Sequence, residues 1–182
     1  MTATLERTLA PFKNETIKNF TDPADIAAMQ AALEYVKGHF GKTYPIIIDG
    51  QPHKTEKHIT SINPADPNQI IGVVGSASLE QANSAIELAA KRFETWKKTS
   101  AQERAGYLLK AAALIRQRRF EFNAWLVYEV GKSWPEADGD TAETIDFLEY
   151  YAREALRYDG PQPVEPFEGE QNELTYIPLG VG

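Results

Sequence analysis

Apolar positions fall into helical stripes over most of the chain and into short strand-like runs between residues 44 and 76. Ile26, Met29, Leu33, Val36 and Phe40 recur at steps of three or four, which predicts one buried helical face. Asp22-Pro23 opens that helix, because Asp accepts from free backbone N–H groups and Pro suits the first helical position. Gly41 is its expected stop. Tyr44–Ile48, His58–Ile62 and Ile70–Val74 read as strands. Asp49-Gly50 marks a tight turn between strands, and Asn63-Pro64-Ala65-Asp66-Pro67 is expected to be loop throughout. The result is a small antiparallel β unit, marginal by itself.

From residue 78 the period is helical. Ser78-Leu79-Glu80-Gln81 is a capping-box pattern, in which the hydroxyl and the Gln satisfy each other's backbone donors. The helix it opens carries Leu79, Ala82, Ile86, Ala89, Ala90 and Phe93 on one side and ends near Trp96. Ser100-Ala101-Gln102-Glu103 repeats the pattern ahead of Leu108, Ala111, Ala112 and Ile115. Arg116 to Arg119 then sits where a helix C-terminus favours cations. Glu121–Val130 is helical and stops at Gly131. Ser133-Trp134-Pro135-Glu136 opens a last helix, whose buried stripe is Ala137, Thr141, Ile145, Leu148, Ala152 and Leu156, running to about Tyr158.

Residues 160–173 are rich in Pro, Gly and Glu, a linker-like composition. Leu174–Gly182 reads as a strand entering a core, with nothing after it to pair with. No strand pattern occurs between residues 80 and 170, so the helices look like an outer layer whose sheet is not supplied. The fold expected is therefore the front part of a larger α/β protein. As it stands the segment is mostly α, with a small antiparallel β unit and an unpaired C-terminal strand. Its expected parts are an arm (1–21), a helix, β unit and helical layer (22–159), a linker-like stretch (160–176) and the strand (177–182). Helices meant to cover a sheet should expose their apolar stripe in the isolated chain and favour aggregation.

Composition narrows the function classes. The 182 residues are 42% hydrophobic and 25% charged, ordinary for a soluble globular protein. There is no eighteen-residue apolar run, hence no expected membrane partner, and no secretory signal. The chain has no cysteine, which excludes disulfides and thiolate metal sites and fits a cytoplasmic protein. A net charge of −7 argues against nucleic acid as a partner. Between Glu136 and Glu173 twelve acids face only Arg153 and Arg157. A solvated helix face explains this, and a non-catalytic acidic helical module that docks onto a protein partner stays open as an alternative.

Candidate chemistry is sparse. His39, His53 and His58 lack metal-ligand spacing, so no metal site is expected. Gly72-Val73-Val74-Gly75 ends a strand, and Gly180-Val181-Gly182 lacks a following helix, so neither forms a phosphate loop. Ser61 near His58 has no orienting acid and no G-x-S-x-G context. Asp140, Glu143, Phe147 and Tyr150 or Tyr151 share one helical face bordering the buried stripe. Such acids are surface residues or line a pocket wall, and two carboxylates one turn apart resemble a general acid–base pair. Trp96, Trp125 and Trp134 are expected in the core.

Several segments resemble the aldehyde dehydrogenase superfamily. Glu129-Val130-Gly131-Lys132-Ser133-Trp134-Pro135-Glu136-Ala137 is similar to its E-x-G-K-x-x-x-E-A segment, and Asp146-Phe147-Leu148-Glu149-Tyr150-Tyr151-Ala152 to the D-F-x-x-Y-Y-A that follows. Ile62-Asn63-Pro64-Ala65, Phe93-Glu94-Thr95-Trp96 and Arg104–Leu114 resemble earlier family stretches. Tyr176-Ile177-Pro178-Leu179-Gly180-Val181 looks like the strand before its P-W-N motif. Val127–Lys132, Ala142–Arg153 and the arm with Pro11-Phe12-Lys13-Asn14-Glu15 are most similar to the 1-pyrroline-5-carboxylate dehydrogenase branch.

That resemblance implies NAD-dependent oxidation of L-glutamate γ-semialdehyde to L-glutamate, in proline and arginine degradation, by a homo-oligomer. In the family a cysteine thiolate attacks the aldehyde, hydride passes to NAD, and a glutamate-activated water hydrolyses the thioester. The resemblance puts the nucleophile, the oxyanion donors and the NAD site beyond residue 182. It implies no catalytic or cofactor-binding residue in this span, and an inactive fragment. Residues 22–159 would form the N-terminal part of the dinucleotide-binding domain, and 160–176 a segment of the oligomerisation arm. Glu143 matches a glutamate beside the substrate pocket, which makes it the one expected site residue here.

Overall fold

The computed structural model describes residues 9–182, so residues 1–8 of the expected arm lie outside the described residues. Ten elements follow in order: α1 (Pro23–Lys37), β1 (Lys42–Tyr44), β2 (Ile46–Ile48), β3 (Gln51–His53), β4 (Lys57–Asn63), β5 (Asp66–Ser76), α2 (Leu79–Trp96), α3 (Ala101–Gln117), α4 (Arg119–Val130) and α5 (Trp134–Arg157).

α1 starts as its sequence dictates, with the Asp22 side chain accepting from the Ala24 N–H at 2.8 Å and Pro23 in the first turn. It ends at Lys37, capped by Gly38, one turn before the expected stop. Gly41 instead supplies a positive φ of 72° and donates its N–H to Ile71, which feeds the chain into the sheet.

The β unit differs from expectation in its pairing. Pro45 has no N–H to donate and splits the predicted first strand into two. β1 pairs in parallel with β5, whereas β2 folds back on β3 through the Asp49-Gly50 turn, where both residues have positive φ. The three-stranded sheet has the order β1-β5-β4, and β4 and β5 form an antiparallel hairpin. Its turn is only Pro64-Ala65, because Asn63 already pairs with Asp66. The Asn63 side chain accepts from the Ala65 N–H at 2.9 Å and donates to Gln69 at 2.8 Å, so it makes the turn itself, and Asp66-Pro67 belong to the strand.

The helices pack around two small cores. Met29 and Val36 of α1 meet Ala124 of α4, with Phe20, Phe40, Trp125, Tyr128 and Trp134 closing around them. Ala101 and Ala105 of α3 meet Ala152 and Leu156 of α5, where small residues let the two helices approach closely. Ile145 is fully buried, and Leu148 is half-buried at the edge of its stripe.

α2 stands apart. Its capping box forms as read, yet none of its residues is buried, and Leu79 and Ile86 are 79% and 60% exposed. It is held to the β2–β3 hairpin by Gln81 on the Lys54 carbonyl and by a forked Arg92–Asp49 pair at 2.8 and 2.9 Å. Trp96 is also exposed, leaning on Tyr107, rather than in a core as expected. Residues 159–182 run as extended coil over the surface, with one bridge, Gln162 to Leu174. The predicted C-terminal strand forms no ladder among the described residues, because no strand edge lies beside it. Among the described residues no helix is long and apolar enough to cross a membrane.

Candidate functional site

Between α3, α4 and α5 lies an open groove of about 540 Å³. Phe122, Trp125 and Leu126 of α4, Ile115 of α3 and Phe147 of α5 give it an apolar floor and wall. Thr141, Thr144, Asp140, Glu143 and Glu129 give it a polar rim. The helical repeat brings these groups together: Asp140, Glu143, Thr144 and Phe147 follow at steps of one, three or four along α5.

The carboxylates on the rim differ in what they have left to offer. Asp140 is ion-paired with Lys132, and Glu129 accepts the Ser61 hydroxyl at 3.1 Å. Glu143 is exposed to the groove and makes no hydrogen bond or ion pair among the described residues. The two members of the Asp140/Glu143 pairing suggested by spacing are therefore placed differently, one held by Lys132 and the other open to the groove. Ser61 is consumed by Glu129 and does not face a histidine.

The back of the groove is anchored by a cluster that sequence spacing did not reveal. The sequence places Arg119 among the cations of a helix C-terminus. It is instead buried, and its fork meets Asp138 at 2.6 Å through both Nε and Nη2. Asp138, with no exposed surface, also accepts from Asn123 Nδ2 at 2.9 Å and from the Lys18 N–H at 2.7 Å. Burial raises the pKa of Asp138, but the guanidinium, the Lys18 N–H and the Asn123 amide outweigh it and hold the carboxyl below its ordinary value. The one sequence signal was polarity at a stripe position: Asp138 stands next to Ala137 and one turn before Thr141 and Ala142.

Gly72 and Gly75 lie inside β5, and a Cβ at Gly75 would come within 2.8 Å of Thr55 Oγ1, so that glycine serves packing. The first turn of α2 is closed by Ser78 and Gln81 of its own capping box. Among the described residues no group of three or more His, Asp or Glu converges as a metal-ligand set.

The profile of the aldehyde dehydrogenase family matches residues 51–182. The chain belongs to the aldehyde dehydrogenase family. It is 49% identical over 171 residues to 1-pyrroline-5-carboxylate dehydrogenase 2 of Bacillus subtilis, covering 94% of this chain and 33% of that protein. It is also 49% identical to 1-pyrroline-5-carboxylate dehydrogenase of Geobacillus thermodenitrificans, with the same coverage of each. The solved structure of Thermus 1-pyrroline-5-carboxylate dehydrogenase with bound NAD superposes with a TM-score of 0.89 at 47% identity, over 94% of this chain and 34% of that one. The chain thus spans about a third of the length of the curated relatives it matches.

Proposed function

We propose that this chain forms one wall of the aldehyde site in an NAD-dependent dehydrogenase that oxidises L-glutamate γ-semialdehyde to L-glutamate in the cytoplasm. The observation that carries the reading is Glu143: a carboxylate without a partner among the described residues, beside Phe147 on the rim of an apolar groove. Similarity to 1-pyrroline-5-carboxylate dehydrogenases over 94% of the chain supports the substrate class.

In this reading the apolar wall excludes water from the aldehyde, and Glu143 places a negative charge at its edge. The sequence contains no cysteine, so the thiolate belongs to residues of the enzyme other than these 182; in this reading the oxyanion donors and the NAD site lie there too. NAD would supply the hydride acceptor there. The exposed stretch 160–176, bent back on itself through Gln162 and Leu174, is the proposed oligomerisation segment of a homo-oligomer.

Two measurements test the reading. Purified 1–182 should form no NADH from glutamate semialdehyde above a blank, and turnover by it would overturn the division of labour. In the full-length enzyme carrying this segment, Glu143→Ala should lower kcat/KM by about tenfold or more, the scale of a lost positioned group. An unchanged kcat/KM would remove Glu143 from the site.

A further inference from the structure

The segment Ala10–Lys18 crosses α3, α4 and α5 as an extended strap, and the helices read its main chain. Asp146 accepts the Glu15 N–H at 2.7 Å and Asp138 accepts the Lys18 N–H at 2.7 Å. Arg119 donates to the Thr16 carbonyl at 2.9 Å, and Arg153 donates twice to the Ala10 carbonyl at 3.1 and 3.2 Å. The Glu15 side chain adds an ion pair to Arg116 at 2.9 Å. Two of these contacts run through the Arg119–Asp138 pair, which also joins α4 to α5. Arg119 lies one turn before Phe122 on α4, and Asp138 lies on the same helix as Asp140 and Glu143. On α5 the Asp138 position points away from Glu143, since five residues correspond to about 140° of rotation. The pair therefore sits behind the groove and not in it.

We propose that Asp138 is a positioning residue: paired with Arg119, it fastens the strap and sets the α4–α5 spacing that holds Glu143 and Phe147 on the groove wall. A buried, four-donor carboxylate has one geometry available, because any shift strands a charge without solvent. Asn123 fits that role. Its amide turns its NH₂ to Asp138 although its Oδ1 is then buried without a hydrogen bond among the described residues. The placement of Glu143 in a reacting site rests on the function proposed above, whereas the clamp itself does not.

The test uses the full-length enzyme carrying this segment. Asp138→Asn should speed amide exchange at Glu15 and Lys18 by about tenfold or more, as local opening of the strap. It should also lower kcat/KM by about tenfold to a hundredfold, the scale of a small misplacement away from the chemistry. The paired change Arg119→Met with Asp138→Leu replaces the ion pair by apolar packing, which can restore folding stability. A positioning role predicts that this double variant still shows fast strap exchange and low kcat/KM. Recovery of both with stability would reduce the pair to a structural element and overturn the proposal, as would unchanged exchange at Lys18 in Asp138→Asn. Absence of turnover in the unsubstituted enzyme would defeat the dehydrogenase reading alone. Exchange at Lys18 and along Glu143–Phe147 would then still decide the clamp: both faster supports it, and strap exchange alone overturns it.

Discussion

A Cβ on Gly131 would lie 2.9 Å from Cγ of Pro64, so the α4–α5 junction and the β4–β5 turn touch because residue 131 has no side chain. Gly131 also ends α4 with a φ of 74°, in the left-handed region. Two independent constraints thus fall on one residue of the E-x-G-K segment. Gly131→Ala should destabilise by about 2–4 kcal/mol, from left-handed strain plus overpacking. Denaturant unfolding would show it as a lower midpoint at unchanged slope; a shift of only about 1 kcal/mol, the left-handed strain alone, would show that the hairpin yields freely.

Acid should loosen the strap. The Asp138 pKa is depressed in the folded state, so its contribution is complete above the unfolded value of about 3.9 and is lost as pH falls through the lower folded value. Stability should therefore be level near neutrality and fall below about pH 4. Asp138→Asn should lower stability at pH 7 and flatten the acid limb. A variant with the same acid dependence as the parent would place the titrating group elsewhere, in Glu149 or Glu121, whose carboxyls are also depressed.

The stripe on α2 is a surface in the isolated chain. Ile86→Lys should leave the stability of 1–182 within about 0.5 kcal/mol of the parent, as for other exposed sites. It should also reduce self-association measured by sedimentation. Loss of stability would mean that Ile86 is covered in solution.

Met29 is fully buried in the α1–α4 core. Met29→Ala should cost about 2–5 kcal/mol through lost transfer energy and the cavity left behind. A thermal transition unmoved by this change would show that α1 is not docked on α4.

Much of the architecture is written locally. Asp22-Pro23, the Ser78 box, Ser100, Ser133 and Gly131 act within a few residues of themselves, so the helix boundaries they predict agree with the structure to within a turn. The strands were less legible. β1 and β2 read as one run until their partners separate them at Pro45, and the parallel β1–β5 pair joins segments that share no local signal. Glu143 was legible as a pocket-wall candidate because its face is set by helical period alone. Its difference from Asp140 was not, since that depends on where Lys132 reaches.

By itself the sequence determined the helices, the Asp22, Ser78, Ser100 and Ser133 N-caps, the absence of a thiol and the family, since each is a property of neighbouring residues or of residue identity. Only the tertiary structure decided that Arg119 meets Asp138 in a buried pair and that the strap lies across three helices. Burial and charge pairing depend on groups far apart in the chain, and their energies exist only once the helices have met.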